Sequence, residues 1–297
     1  MSEAWGRPDE MVGPLPALAD IRAAERYCAE MARREARNFY WGFLSLPAAQ
    51  RVAIYALYDF ARQVDDEADA AGRPHLESSL RRHRERASAC ARGEWSDPVT
   101  MVLARAVERY AIPEAELQAL IDGVQADLTR TRYATWAELE GYCRLVASTI
   151  GRMCVRIFGF EDPSALERAD ELGIALQLTN ILRDIREDGE LGRIYLPAED
   201  LERFGVSEAD LLGGGPGPGW EDLVDFQARR ARAYFATGLR VVDLVPRRPA
   251  ACVRTMAGIY QRILGRLERE PRLSLRRRVS LTPAQKMGVM VRAWLPG

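Results

Sequence analysis

The segment QLTNILRDIREDGELGRIYLP at 177–197 constrains this chain more tightly than any other. At about 100° per residue, a helix brings Gln177, Asn180, Asp184 and Asp188 within about 80° of one another. The intervening Leu178, Ile181, Leu182 and Ile185 are core residues by type. Such a helix is buried and must still turn two carboxylates and two amides toward something polar. Carboxylates stacked four residues apart repel and weaken a helix. A divalent cation relieves that repulsion. An oxygen-only ligand set suits Mg²⁺, which takes one or two protein carboxylates and completes its shell with water and substrate phosphate.

A second acidic stripe lies upstream in AIYALYDFARQVDDEADA at 53–70. Arg62, Asp65 and Asp69 leave that helix within about 60°, and Tyr58 shares the face. Ile54, Leu57, Phe60 and Val64 mark the helix as buried. With 43 acidic residues in 297, one aspartate pair at this spacing arises by chance and usually marks a solvated face. Gln177 and Asn180 have no reason to recur at helical spacing on such a face, so the two stripes together predict a cation site in a cavity between two buried helices.

Helical periodicity dominates the chain and strand alternation is nearly absent, which predicts an all-α fold. Helices are expected near 20–36, 48–70, 76–91, 97–110, 113–128, 135–159, 163–188, 221–244, 248–270 and 282–294. Pro47, Pro98, Pro113, Pro163, Pro197 and Pro283 stand where helices should begin. Residues 1–19 read as a disordered leader and 20–297 as one catalytic domain. GGGPGPGW at 213–220 reads as a surface loop, because alternating prolines remove the N–H donors a phosphate cradle needs.

Net charge of −1 provides no footprint for nucleic acid. Five scattered cysteines read as buried thiols in a reducing cytoplasm. The two histidines, His75 and His83, sit in an Arg-rich stretch outside the apolar pattern, which argues against zinc or histidine chemistry. No run approaches 18 apolar residues. The expected location is cytoplasmic, as a monomer or weak homodimer.

The two aspartate motifs, the QLTNILRD…GRIYLP segment and YCRLVASTIG at 142–151 resemble the squalene/phytoene synthase family, from about Tyr27 to Arg278. The resemblance implies an isoprenoid synthase-type helical bundle with a central cavity. Its two aspartate-motif helices would hold Mg²⁺, or Mn²⁺ in its place, against the diphosphates of two prenyl substrates. By motif position, Asp65, Asp69, Asp184 and Asp188 bind metal, and Gln177 and Asn180 orient substrate or metal-bound water. Arg62, Arg183, Arg193, Tyr195 and Tyr260 bind diphosphate, and Tyr142 helps position a cyclopropyl intermediate. One more diphosphate arginine is expected in RRR at 276–278, with Arg277 and Arg278 equally placed. Phe39, Val146 and Ile150 are candidates for the prenyl pocket, with core packing as the alternative. Gly189 and Gly192 suggest a lid over the site. The family's Ser-x-Ser-Phe stretch is replaced by Ala36-Arg37-Asn38-Phe39, so the hydroxyl donors there are gone.

These residue types suit ionisation of an allylic diphosphate. Metal, Arg and Tyr stabilise the leaving anion, while aromatic and apolar walls surround the carbocation without offering a nucleophile. Chain-elongating or cyclising prenyl enzymes also fit DDEAD at 65–69, but neither class matches DIRED at 184–188. A non-catalytic scaffold protein of the same fold would have lost the four aspartates. ARNFYWGF and GRMCVRIFGF look closer to presqualene diphosphate synthases acting on farnesyl diphosphate, with phytoene synthase acting on geranylgeranyl diphosphate as the alternative. No dinucleotide fingerprint is present, so NADPH is not expected. Greasy substrates imply peripheral contact with a membrane, for which 287–297 is a candidate beside its reading as a core helix end.

Overall fold

In a computed structural model, residues 20–214 and 217–294 are described, without the side chains of residue 37, 67–74 and 213–214. The leader read at 1–19 lies outside the described residues. Thirteen α-helices are found among them and no strand: α1 Ile21–Glu35, α2 Arg37–Phe43, α3 Ala48–Ala91, α4 Pro98–Tyr110, α5 Glu114–Thr129, α6 Trp136–Cys143, α7 Thr149–Phe158, α8 Ser164–Arg183, α9 Ile185–Glu190, α10 Ala198–Phe204, α11 Trp220–Gly238, α12 Arg247–Arg269 and α13 Pro283–Ala293. The helix starts follow local chemistry. Asp97 caps α4, with Pro98 at its first position, and Thr282 with Gln285 closes a reciprocal capping box on α13.

One continuous apolar core runs through the helices. Ile54, Leu57, Phe60 and Val64 of α3 are buried together, as their spacing requires. α8 is the central element, packed against α7, α11 and α12. Gly173 lets α8 approach the 144–148 segment closely: a Cβ at this position would sit 2.9 Å from the backbone of Ala147 and Ser148.

Three sequence expectations change. The helices read at 48–70 and 76–91 are one helix, α3, which runs through Pro74. The helix read at 135–159 contains a π-turn at Arg144–Ser148 between α6 and α7. The helix read at 163–188 breaks at Asp184, whose φ of −103° and ψ of 12° leave the helical range and redirect α9. His83 also differs from its reading, for it is fully buried, bonded to Arg86 at 3.0 Å and edge-on to Phe60. Its position on the inner face of α3 was hidden by the arginines around it. The five cysteines are free thiols, four of them fully buried.

Candidate active site

α3, α5, α8 and α12 enclose a cavity of about 520 Å³, bordered also by α2 and the chain before α13. Both acidic stripes face it. Asp65 comes from α3, Asp184 from the break after α8, Asp188 from α9, and Gln177 and Asn180 from the last turns of α8. The side chain of Asp69 lies outside the described residues, although its backbone continues α3.

At one pole, charges are densely paired. Arg183 grips Asp184 through two bonds, Nε to Oδ1 at 2.7 Å and Nη2 to Oδ2 at 2.5 Å. Arg278 approaches the same carboxylate, with Nε 3.1 Å from Oδ1, and reaches Glu187 at 3.4 Å. Arg62 spans Asp65 at 3.5 Å and Asp66 at 2.5 Å. Burial works against the Arg183 charge, but the bonded Asp184 carboxylate outweighs it and holds the guanidinium above its usual range. Tyr260 of α12 stands behind Arg183, its ring centroid 6.0 Å from the guanidinium carbon and 5.9 Å from the Phe39 ring.

Arg278 lines the cavity; Arg277 is exposed and does not. The sequence could not separate them, because the turn after α12 decides which of three consecutive arginines points inward. Asn38, Phe39, Val146 and Ile150 all line the apolar flank. Val146 stands on the π-turn, a feature that widens a helix locally and recurs at functional sites.

Asp127 was not singled out by the sequence. It lies at the cavity wall on α5, where Tyr142 donates to its Oδ1 at 2.7 Å and Tyr195 donates to the same oxygen. Arg193 Nη1 lies 3.5 Å from Oδ2. Tyr195 stacks on Tyr142 and Tyr133, with ring centroids 5.3 and 6.0 Å apart, and the Tyr133 and Tyr142 rings are tilted against each other at 5.3 Å. Each phenol has one proton. Both are spent on Asp127, so Tyr142 and Tyr195 turn lone pairs, not donors, toward other partners. Burial, followed by the Asp127 charge, pushes both phenols up. A signal did exist: Leu120, Val124 and Asp127 form one helical stripe, in which the aspartate occupies a core position.

The 189–197 connector is not the free lid its glycines suggest. Ile194 N–H bonds Thr131 C=O at 3.0 Å, Ala198 N–H bonds Tyr133 C=O at 2.9 Å, and Ile194, Tyr195 and Leu196 are buried. Gly192, at φ +72°, serves the turn that returns Arg193 N–H to Asp188 C=O.

Asp188 shows what the site lacks in charge balance. Its carboxyl is pushed up to about 8 by burial, then by the charges of Asp184 and Asp127. Nearby, Asn180 Oδ1 is buried with no partner among the described residues. An all-oxygen set with an unbalanced carboxyl and an unused amide oxygen fits a hard divalent cation. Among the described residues no three acidic, His or Cys side chains form a ready metal cage. Such a cation must therefore complete its shell with water or diphosphate oxygens, as expected when only one or two protein carboxylates bind it.

The squalene/phytoene synthase family profile matches residues 32–285. A phytoene synthase of Mycobacterium tuberculosis is 39% identical over 283 residues, covering 93% of this chain and 92% of the relative. A 15-cis-phytoene synthase of Synechocystis is 35% identical over 290 residues, covering 93% and 86%. Among solved structures, a dehydrosqualene synthase superposes with a TM-score of 0.84 at 27% identity, covering 92% of this chain and 96% of that one. Squalene synthase HpnC of Alicyclobacillus acidocaldarius superposes at 0.79 with 29% identity, covering 86% and 96%. The all-α fold and a cavity walled by two aspartate helices thus define a prenyltransferase of the isoprenoid synthase type, and the chain belongs to the squalene/phytoene synthase family. It condenses two prenyl diphosphates head to head, with a divalent metal for diphosphate binding.

Proposed function

We propose that this chain is a Mg²⁺-dependent head-to-head synthase whose polar pole binds two diphosphates and whose apolar flank holds two prenyl chains. The observation that carries this reading is a single cavity combining the two acidic stripes, Arg62, Arg183 and Arg278 with the apolar Phe39, Val146 and Ile150. Asp65, Asp69, Asp184 and Asp188, with the free Oδ1 of Asn180, would hold the metal. When bound it supplies charge neutralisation for the leaving diphosphate. Arg62, Arg183 and Arg278 orient the diphosphate oxygens through planar, preorganised donors. Gln177 braces Asn180, whose Nδ2 donates to it at 3.3 Å. Tyr260 supports Arg183 from behind.

On the apolar side, aromatic faces and aliphatic walls surround the allylic cation and exclude water. Tyr142 and Tyr195, with their protons committed to Asp127, offer no donor to the leaving group and present their ring faces to the cavity. The second chain's double bond then attacks the cation, and the proton lost as the cyclopropyl ring closes passes to the released diphosphate. Arg193 holds Asp127 in place and acts at one remove from the diphosphate.

For the product we infer phytoene, from two geranylgeranyl diphosphates. Relatives of that activity match nearly the whole chain at 35–39% identity. The second reading, presqualene diphosphate or squalene from farnesyl diphosphate, is favoured by the 36–43 and 151–160 segments and by the likeness to HpnC. Separate incubation with each donor, with and without NADPH and before and after phosphatase treatment, tests this. Phytoene from the C20 donor is expected. Turnover of the C15 donor alone, giving a phosphatase-sensitive cyclopropyl product, would overturn it in favour of the second reading.

A further inference from the structure

We propose that an ion cluster of Arg152, Glu116 and Asp170, with Arg144 at its edge, braces the apolar end of the cavity from outside and so sets the length of prenyl chain the site accepts. This rests on the prenyl substrates of the proposed function and not on which product is formed.

Three walls of the cavity end at this cluster. α5 contributes Leu120, Val124 and Asp127, and Glu116 continues their stripe one turn beyond Leu120, away from the diphosphate pole. α8 contributes Gln177 and Asn180, and Asp170 shares the face of Gln177 two turns before it. Between α5 and α8, Val146 on the π-turn and Ile150 on α7 form the apolar flank. Arg152, two residues after Ile150, ties the three walls together. Its Nε and Nη2 donate to the two oxygens of Glu116 at 2.8 and 2.7 Å, and its Nη1 donates to Asp170 at 2.5 Å. From the start of the π-turn, Arg144 reaches the same aspartate at 3.4 Å, and Ser148 Oγ donates to Asp170 C=O at 2.8 Å. The two arginines therefore bracket the turn that carries Val146, and both end on one carboxylate. These charged side chains stand outside the cavity lining.

The side chains of Glu116, Asp170 and Arg152 are only 13, 19 and 23% exposed, so water screens them poorly. A forked arginine counts for more in such a setting than an ion pair on an open surface does. Removing one member of a buried cluster leaves uncompensated charge. Without Arg152, the Glu116 and Asp170 carboxylates, which now end on one guanidinium, repel each other and press α5 and α8 apart. The segment carrying Val146 and Ile150 loses its anchor on both sides at once. The cavity then deepens at its apolar end, where the tail of a longer prenyl chain lies. The diphosphate pole is spared, because Arg62, Arg183 and Arg278 stand at the opposite end of the same walls.

The test is calorimetric titration of the full-length protein in Mg²⁺ with the non-ionising S-thiolo diphosphates of the C15 and C20 chains, and with inorganic diphosphate. Arg152→Met should raise the C20-to-C15 affinity ratio at least about fivefold over wild type, a small part of what extra carbons are worth in a fitted pocket. Binding of inorganic diphosphate should stay at the wild-type value. Adding Glu116→Gln and Asp170→Asn to Arg152→Met removes the repulsion and should bring the ratio back toward wild type. Arg168→Met is the control: its ion pairs with Glu167 and Glu171 stay within α8, so the ratio should not move. Arg152→Lys keeps the charge without the fork and should shift the ratio in the same direction by less, which decides the matter if Arg152→Met loses helix content by circular dichroism. An unchanged ratio in a folded Arg152 variant, or equal weakening of both chains, would overturn the proposal and leave the cluster a purely stabilising role. Failure of wild type to bind inorganic diphosphate in Mg²⁺ is a separate result, and would overturn the substrate class together with the brace that rests on it.

Discussion

Asp188 and Asp127 show how single side chains set the chemistry. In the metal-free protein Asp188 binds its proton up to about pH 8, against about 3.8 for an ordinary aspartate. The folded state therefore holds this proton more tightly than the unfolded chain. Its contribution to stability is fully present below about pH 4 and is lost as pH rises toward about 8. Scanning calorimetry in EDTA should show a falling Tm across that window, which Asp188→Asn flattens while abolishing turnover. A profile unchanged by the substitution would contradict the assignment. Asp127 acts differently, by fixing two phenols. Asp127→Asn should lower kcat by about 10- to 100-fold, the cost of leaving buried hydroxyls poorly paired, with a smaller change in KM. Equal loss of kcat and rise of KM in steady-state kinetics would place Asp127 in substrate binding instead.

At the scale of elements, the approach of α8 to the π-turn positions the cavity's two walls. A Cβ at Gly173 meets backbone, which cannot swing aside. Gly173→Ala should therefore destabilise by roughly 1–3 kcal/mol, read as a lower Tm. Gly141, in α6, is the internal control, because nothing lies within 4 Å of its added Cβ. Gly141→Ala should leave stability unchanged or raise it by about 0.4–1 kcal/mol. The elements were largely legible: 3.6-residue periodicity and N-terminal prolines marked nearly every helix. Their interruptions were not. The gap read between 70 and 76 is not made by α3, while Asp184 and the 144–148 turn break helices whose residues carry no stop signal. Packing, not local propensity, places those breaks.

Over the whole molecule, the site is assembled from side chains of α2, α3, α5, α6, α7, α8, α9 and α12 and of the turns between them, which gather the carboxylates of Asp65, Asp184 and Asp188 beside Arg62, Arg183 and Arg278. Metal and diphosphate should thus depend on each other. Calorimetry should show inorganic diphosphate binding weakly in EDTA and at least about fivefold tighter with Mg²⁺, and Mg²⁺ gaining the same factor from diphosphate. Tight diphosphate binding without metal would show that the arginines suffice.

The sequence by itself determined the helical class and the two acidic stripes. Those follow from helical spacing, which is a local property. Only the tertiary structure chose Arg278 over Arg277, closed the 189–197 connector and brought Asp127 under two tyrosine hydroxyls from other segments. Such choices depend on which side chains meet across helices, and burial then sets their charge.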